Sequence, residues 1–82
     1  MIMVDIYVPA LDKEYDFRLN PNVEIRTIIE EVSEMIAHKE HSAIAGRMED
    51  LMLCDKMTGR ILDGKKTLGA CLVRTGSKLI LV

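Results

Sequence analysis

The side chains best suited to nucleophilic or metal chemistry in this 82-residue sequence are two cysteines, Cys54 and Cys71, and two histidines, His38 and His41. A nucleophile needs a base within hydrogen-bond reach and a third group that orients the base. Nothing in the spacing brings either cysteine to either histidine. His38-Lys-Glu-His41 offers two imidazoles at i, i+3 with Glu40 between them, but a closed metal site takes four ligands and no others cluster nearby. The pair sits at a helix end, where histidine is favoured by the dipole alone. Gly64, Gly69 and Gly76 are isolated turn residues and form no phosphate-cradling loop. The sequence therefore predicts no catalytic residue, no metal and no cofactor, and the chain is read as not an enzyme. The cysteines make neither a CxxC pair nor a secreted disulfide framework, so both are read as reduced thiols of a cytoplasmic protein.

The elements that would position these side chains are legible from periodicity. Ile2, Val4, Ile6 and Val8 alternate with Met3, Asp5 and Tyr7, which predicts a strand with one buried face, ended by Pro9. Ala10 to Glu14 form a polar connection. Tyr15, Phe17 and Leu19 alternate with Asp16 and Arg18, giving a second strand and a hairpin with a longer turn. After the Asn20-Pro21-Asn22 break, Asn22 is the expected helix N-cap, with Glu24 in the first turn. Ile25, Ile28, Ile29, Val32, Met35 and Ile36 then fall at spacings of three and four, one apolar stripe of a helix of roughly four turns ending near His38–Glu40. Residues 41–49 are a connection. Leu51–Cys54 and Arg60–Leu62 are expected as short strands around the Lys56–Gly59 turn, Asp63-Gly64 turns the chain again, and Lys78–Val82 closes the sheet. One helix over one sheet face is an α+β order.

Eighty-two residues make a single domain, 1–82, whose elements share one core. With no Trp and one Phe the core should be aliphatic, and the six methionines either fill gaps or lie on a binding face. The net charge of −2 hides an asymmetry. Residues 1–55 carry twelve acids and five bases, whereas residues 56–82 carry one acid and six bases: Lys56, Arg60, Lys65, Lys66, Arg74 and Lys78. Such a dipole can steer an acidic partner. Nucleic acid is not expected, because no aromatic platform accompanies the bases and the pI is about 5.6. Direct membrane insertion is not expected either, since no apolar run approaches the ~20 residues of a span and no basic n-region precedes Met1–Val4.

The element order and spacing resemble the ubiquitin-like β-grasp fold: a mixed sheet of four to five strands with one helix packed on one face. Asn20-Pro21 followed by Ile25, Ile28 and Val32 resembles ubiquitin's turn and helix stripe, and Arg60-Ile-Leu-Asp-Gly-Lys-Lys-Thr-Leu68 resembles its Lys-Gln-Leu-Glu-Asp-Gly-Arg-Thr-Leu. Within that superfamily, Glu24–Ile29 and Leu68–Val82 are similar to the small YukD/EsaB-type proteins of Gram-positive type VII secretion. The resemblance implies a non-enzymatic cytoplasmic accessory or adaptor that binds a protein of the secretion machinery. The sequence ends at Val82 without the Gly-Gly tail by which ubiquitin-like modifiers and sulfur carriers react, so conjugation is not expected. A modifier or sulfur-carrier relative is the alternative.

In such a sheet, Leu51, Leu53, Leu79 and Leu81 pointing inward sends Met52, Cys54, Ile80 and Val82 outward. That strip, rimmed by Arg60 and Lys78, resembles the patch by which ubiquitin is read by its receptors. It is the expected protein-binding site, for a partner or for a second copy in a homodimer.

Overall fold

The computed structural model describes residues 1–41 and 50–82. The order is β1 (Ile2–Val8), β2 (Lys13–Leu19), α1 (Ile25–Glu40), β3 (Leu53–Asp55) and β4 (Lys78–Leu81). The strands form one four-stranded sheet in the order β2-β1-β4-β3. β1 pairs antiparallel with β2 and parallel with β4, and β3 pairs antiparallel with β4. Parallel strands need a long crossover, which α1 supplies. The result is the mixed α+β, β-grasp arrangement that the resemblance implied.

The alternation read in β1 and β2 sets the core. Val4, Ile6, Val8, Tyr15 and Leu19 are buried on the face toward the helix, against Ile25, Ile28, Ile29, Val32 and Ile36 of α1. Leu53, Leu68, Val73, Leu79 and Leu81 complete this aliphatic cluster, with Phe17 and Leu51 half-buried at its margin.

Several local expectations are corrected. Asn22 does not cap the helix. The cap is Glu24, which makes no side-chain cap bond. Instead the first free amides of α1 are satisfied from outside: Ile25 N–H donates to the Lys66 carbonyl at 2.8 Å and Arg26 N–H to the Gly64 carbonyl at 3.0 Å. The Asp63–Thr67 turn thus performs the cap's task of pairing orphan helix donors. Met35 lies outside the buried stripe, 46% exposed, whereas Ser33 is buried on the opposite flank. The third strand is Leu53–Asp55 rather than Leu51–Cys54. Arg60–Leu62 joins it only through the single bridge Cys54↔Ile61. Met1, Met3, Met35, Met52 and Met57 are all exposed, so these methionines are not gap fillers. Beyond His41, the connection read over 41–49 lies outside the described residues.

Candidate protein-binding face

The sheet turns one face to α1 and the other away from it. On the outer face a row of side chains crosses three strands: Tyr7 of β1 pairs with Ile80 of β4, Ile80 with Cys54 of β3, and Cys54 with Ile61 beyond the edge. Side chains directly opposite across a ladder lie about 4.5–5.5 Å apart at Cβ, so the four make a continuous strip. Tyr7, Cys54 and Ile80 are half-buried within it and Ile61 is 62% exposed. Met52 and Val82 extend the strip at one end and exchange both backbone bonds, 2.6 Å from Met52 N–H to the Val82 carbonyl and 2.9 Å in return. Both are exposed.

The other end is charged. Lys78 stands beside Asp5 across the β1–β4 pairing, and its carbonyl accepts from Lys56 N–H at 2.9 Å, placing the two lysines in adjacent positions. The Lys56 ammonium lies 6.0 Å from the centre of the Tyr7 ring, within cation–π reach. The Tyr7 hydroxyl donates to Asp12 Oδ1 at 2.7 Å. That hydrogen bond, then desolvation, then the Asp12 charge, raise the phenol above its ordinary 10.0. Arg60 is exposed, with its carbonyl accepting from Asp55 N–H at 2.8 Å. Of the four leucines expected inside, Leu53, Leu79 and Leu81 are buried and Leu51 is half-buried at the core margin, while Met52, Cys54, Ile80 and Val82 take the alternate positions. Tyr7, Lys56 and Ile61 were not among the expected site residues. Alternation along β1 already turned Tyr7 away from the core, but only the strand order sets it beside Ile80.

The residues considered for chemistry are dispersed. Cys54 lies between Ile80 and Ile61, while Cys71 is half-buried in the Thr67–Arg74 loop, its N–H donating to the carbonyls of Thr67 and Leu68. His38 is exposed on α1. His41 is the left-handed C-cap at φ 54°, donating to Ala37 and His38 carbonyls. Among the described residues no three His, Cys, Asp or Glu side chains gather where a metal could be held, and no helix is long and apolar enough to cross a membrane.

Residues 2–81 match the family model described as "WXG100 protein secretion system (Wss), protein YukD". The chain belongs to the YukD family. Membership links it to WXG100 secretion, and the solved structures it is similar to are ubiquitin-like. The N-terminal ubiquitin-like domain of the 4931431F19Rik protein superposes with a TM-score of 0.76 at 22% identity, over 99% of this chain and 72% of that one. The ubiquitin of Caldiarchaeum subterraneum gives 0.72 at 21% identity, over 98% and 89%. A protein designed on ubiquitin gives 0.74 at 18% identity, over 99% and 85%. At these identities the likeness establishes the fold alone. No curated protein sequence matches the chain.

Proposed function

We propose that this chain is a non-enzymatic ubiquitin-like adaptor of WXG100 secretion. It acts in the cytoplasm as one domain over residues 1–82 and docks a protein component of that machinery on the outer sheet face. The observation that carries the reading is the apolar row Tyr7–Ile80–Cys54–Ile61, extended by Met52 and Val82 and edged by Lys56, Lys78 and Arg60. A contiguous apolar patch inside a polar rim is the ordinary composition of a docking site. Family membership supplies the process in which the partner takes part.

The test is a secretion assay in a strain lacking the gene, complemented with Ile61→Asp or Met52→Asp. Both positions are exposed, so each change should alter stability by no more than about 0.5 kcal/mol, or roughly 2–4 °C in Tm. The reading requires folded variants that fail to restore WXG100 export. Full export by both would remove the face from the function.

A further inference from the structure

The outer edge of β2 is a second, separate surface. Asp5 N–H donates to the Ser77 carbonyl at 3.1 Å and the Met3 carbonyl accepts from Gly76 N–H at 2.9 Å, so the odd-numbered residues of β1 direct their backbone groups toward β4. Val4 and Ile6 must then direct theirs toward β2, where the register sets them opposite Phe17 and Tyr15. It follows that Glu14, Asp16 and Arg18 turn their N–H and C=O groups away from the sheet. Outside the strand ladders, no backbone hydrogen bond among the described residues reaches these three positions. The far edge of β3 differs, because Asp55 N–H donates to the Arg60 carbonyl and Leu62 N–H to the Leu53 carbonyl, both at 2.8 Å.

Chemistry flanks this open edge on both sides. Toward the helix lies a groove of about 300 Å³ lined by Tyr15, Phe17, Met35 and Ile36, with Asp16 and Lys39 at its margins. Its floor explains why Met35 and Phe17 are left part-exposed. On the outer face Glu14 and Asp16 lie at successive outward positions of β2 with Asp5 facing Asp16 from β1, and Arg18 follows at the end of the same row. Among the described residues, the ion pairs are Lys13–Glu40 and Arg26–Glu24, neither of which involves these carboxylates. A hydrogen bond shared with Asp5, then the like charge of Asp5, desolvation and the charge of Glu14, raise the Asp16 carboxyl.

We propose that this edge of β2, unpaired among the described residues, captures an extended peptide alternating apolar and basic residues. Its apolar side chains enter the Phe17–Met35 groove, and its basic side chains meet Glu14 and Asp16. Strand addition of this kind draws affinity from main-chain bonds and specificity from alternate side chains. In a symmetric antiparallel pairing of two copies centred on Asp16, each Asp16 would face its counterpart, which destabilises, while Glu14 and Arg18 of the two copies would face each other as opposite charges. Lys39 at the groove margin favours apolar over basic side chains on the inner face.

The probe is a capped seven-residue peptide alternating Val and Lys, titrated into the full chain labelled with 15N. The amides of Glu14, Asp16 and Arg18 should shift most. A Val/Glu peptide of equal length should bind at least tenfold more weakly. Two Val/Lys peptides N-methylated in opposite alternating frames should differ, one binding and one not, because only one set of peptide amides faces β2. Asp16→Lys and Met35→Glu, both at exposed positions, should each lose at least tenfold in affinity without loss of Tm. The proposal is overturned by any of four results: no shift at millimolar peptide, equal binding of the Val/Glu peptide, equal binding of both methylated frames, or shifts centred on Cys54 and Ile80. Movement of the β2 amides with protein concentration in the absence of peptide would equally overturn it, in favour of a second copy. These variants lie outside the β4–β3 face, so they fail or succeed independently of the secretion assay.

Discussion

The Tyr15 hydroxyl donates to Glu40 Oε1, tying the second strand to the last residue of the helix. The other oxygen of Glu40 takes the Lys13 ammonium at 2.8 Å, and the Lys39 ammonium lies 5.3 Å from the centre of the Tyr15 ring. One carboxylate therefore gathers the start of β2 and the C-terminus of α1 at a single point, close to where the helix ends in the left-handed His41.

The pH dependence of folding should carry the mark of this pair. The hydrogen bond from Lys13, then that from Tyr15, hold the Glu40 carboxyl below its ordinary 4.5. A depressed carboxyl contributes stability that is complete above its unfolded value and is lost as pH falls through the folded one. The hydrogen bond to Glu40 pushes the Tyr15 phenol up to about 12. Its contribution is complete below the ordinary 10.0 and is lost as pH rises toward 12. Urea midpoints should show Glu40→Gln less stable than the parent at neutral pH, with the gap closing in acid. In Tyr7→Phe, the remaining phenolate absorbance should appear near 12. A midpoint near 10 would show the bond absent in solution.

Leu72 offers a stabilising change. It occupies the left-handed region at φ 62° while 81% exposed, a conformation that places Cβ too near the following carbonyl at a cost of roughly 1–2 kcal/mol. Its N–H donates to the Gly69 carbonyl at 3.1 Å, holding the turn in place. Asparagine tolerates this region better than leucine, so Leu72→Asn should raise stability by about 0.5–1 kcal/mol. Chemical denaturation of the two proteins checks the sign.

The parts of the fold written as local periods were legible. β1, β2 and α1 follow from spacings of two, three and four, and the inward Leu79 and Leu81 follow from parity alone. The parts that failed depend on contacts distant in sequence. Asn22 carries cap chemistry, yet the carbonyls of Gly64 and Lys66 arrive from forty residues away and satisfy the helix amides first. Strand β3 is only three residues long, too short for alternation to fix its ends. The outer strip was legible as Met52, Cys54, Ile80 and Val82, whereas Tyr7 joined it only because β1 runs parallel beside β4. The open edge of β2 was invisible for the same reason: no sequence pattern says which strand is outermost.

Ser33 is the buried polar residue of the helix, 3% exposed, and its hydroxyl has no hydrogen-bond partner among the described residues. An unpaired buried hydroxyl costs about 1–3 kcal/mol of desolvation, and alanine is also the better helix former. Ser33→Ala should therefore be neutral or stabilising, by up to about 1 kcal/mol. Destabilisation in a denaturant titration would mean that the hydroxyl has a partner in solution.

Adjacent residues of β4 give the sharpest contrast in the molecule. Leu79 is fully buried against the helix-facing core, whereas Ile80 lies half-buried on the opposite face between Tyr7 and Cys54. An aspartate at 79 would leave an unpaired charge in an aliphatic core, at a cost of several kcal/mol against a total stability of about 5–15. Leu79→Asp should abolish the cooperative unfolding transition. Ile80→Asp should retain it, with near-native far-UV circular dichroism, because position 80 lies on the part-exposed outer face where a carboxylate can reach solvent. Loss of the transition in both variants would show that the outer face is packed rather than open, and would move the docking strip off this sheet.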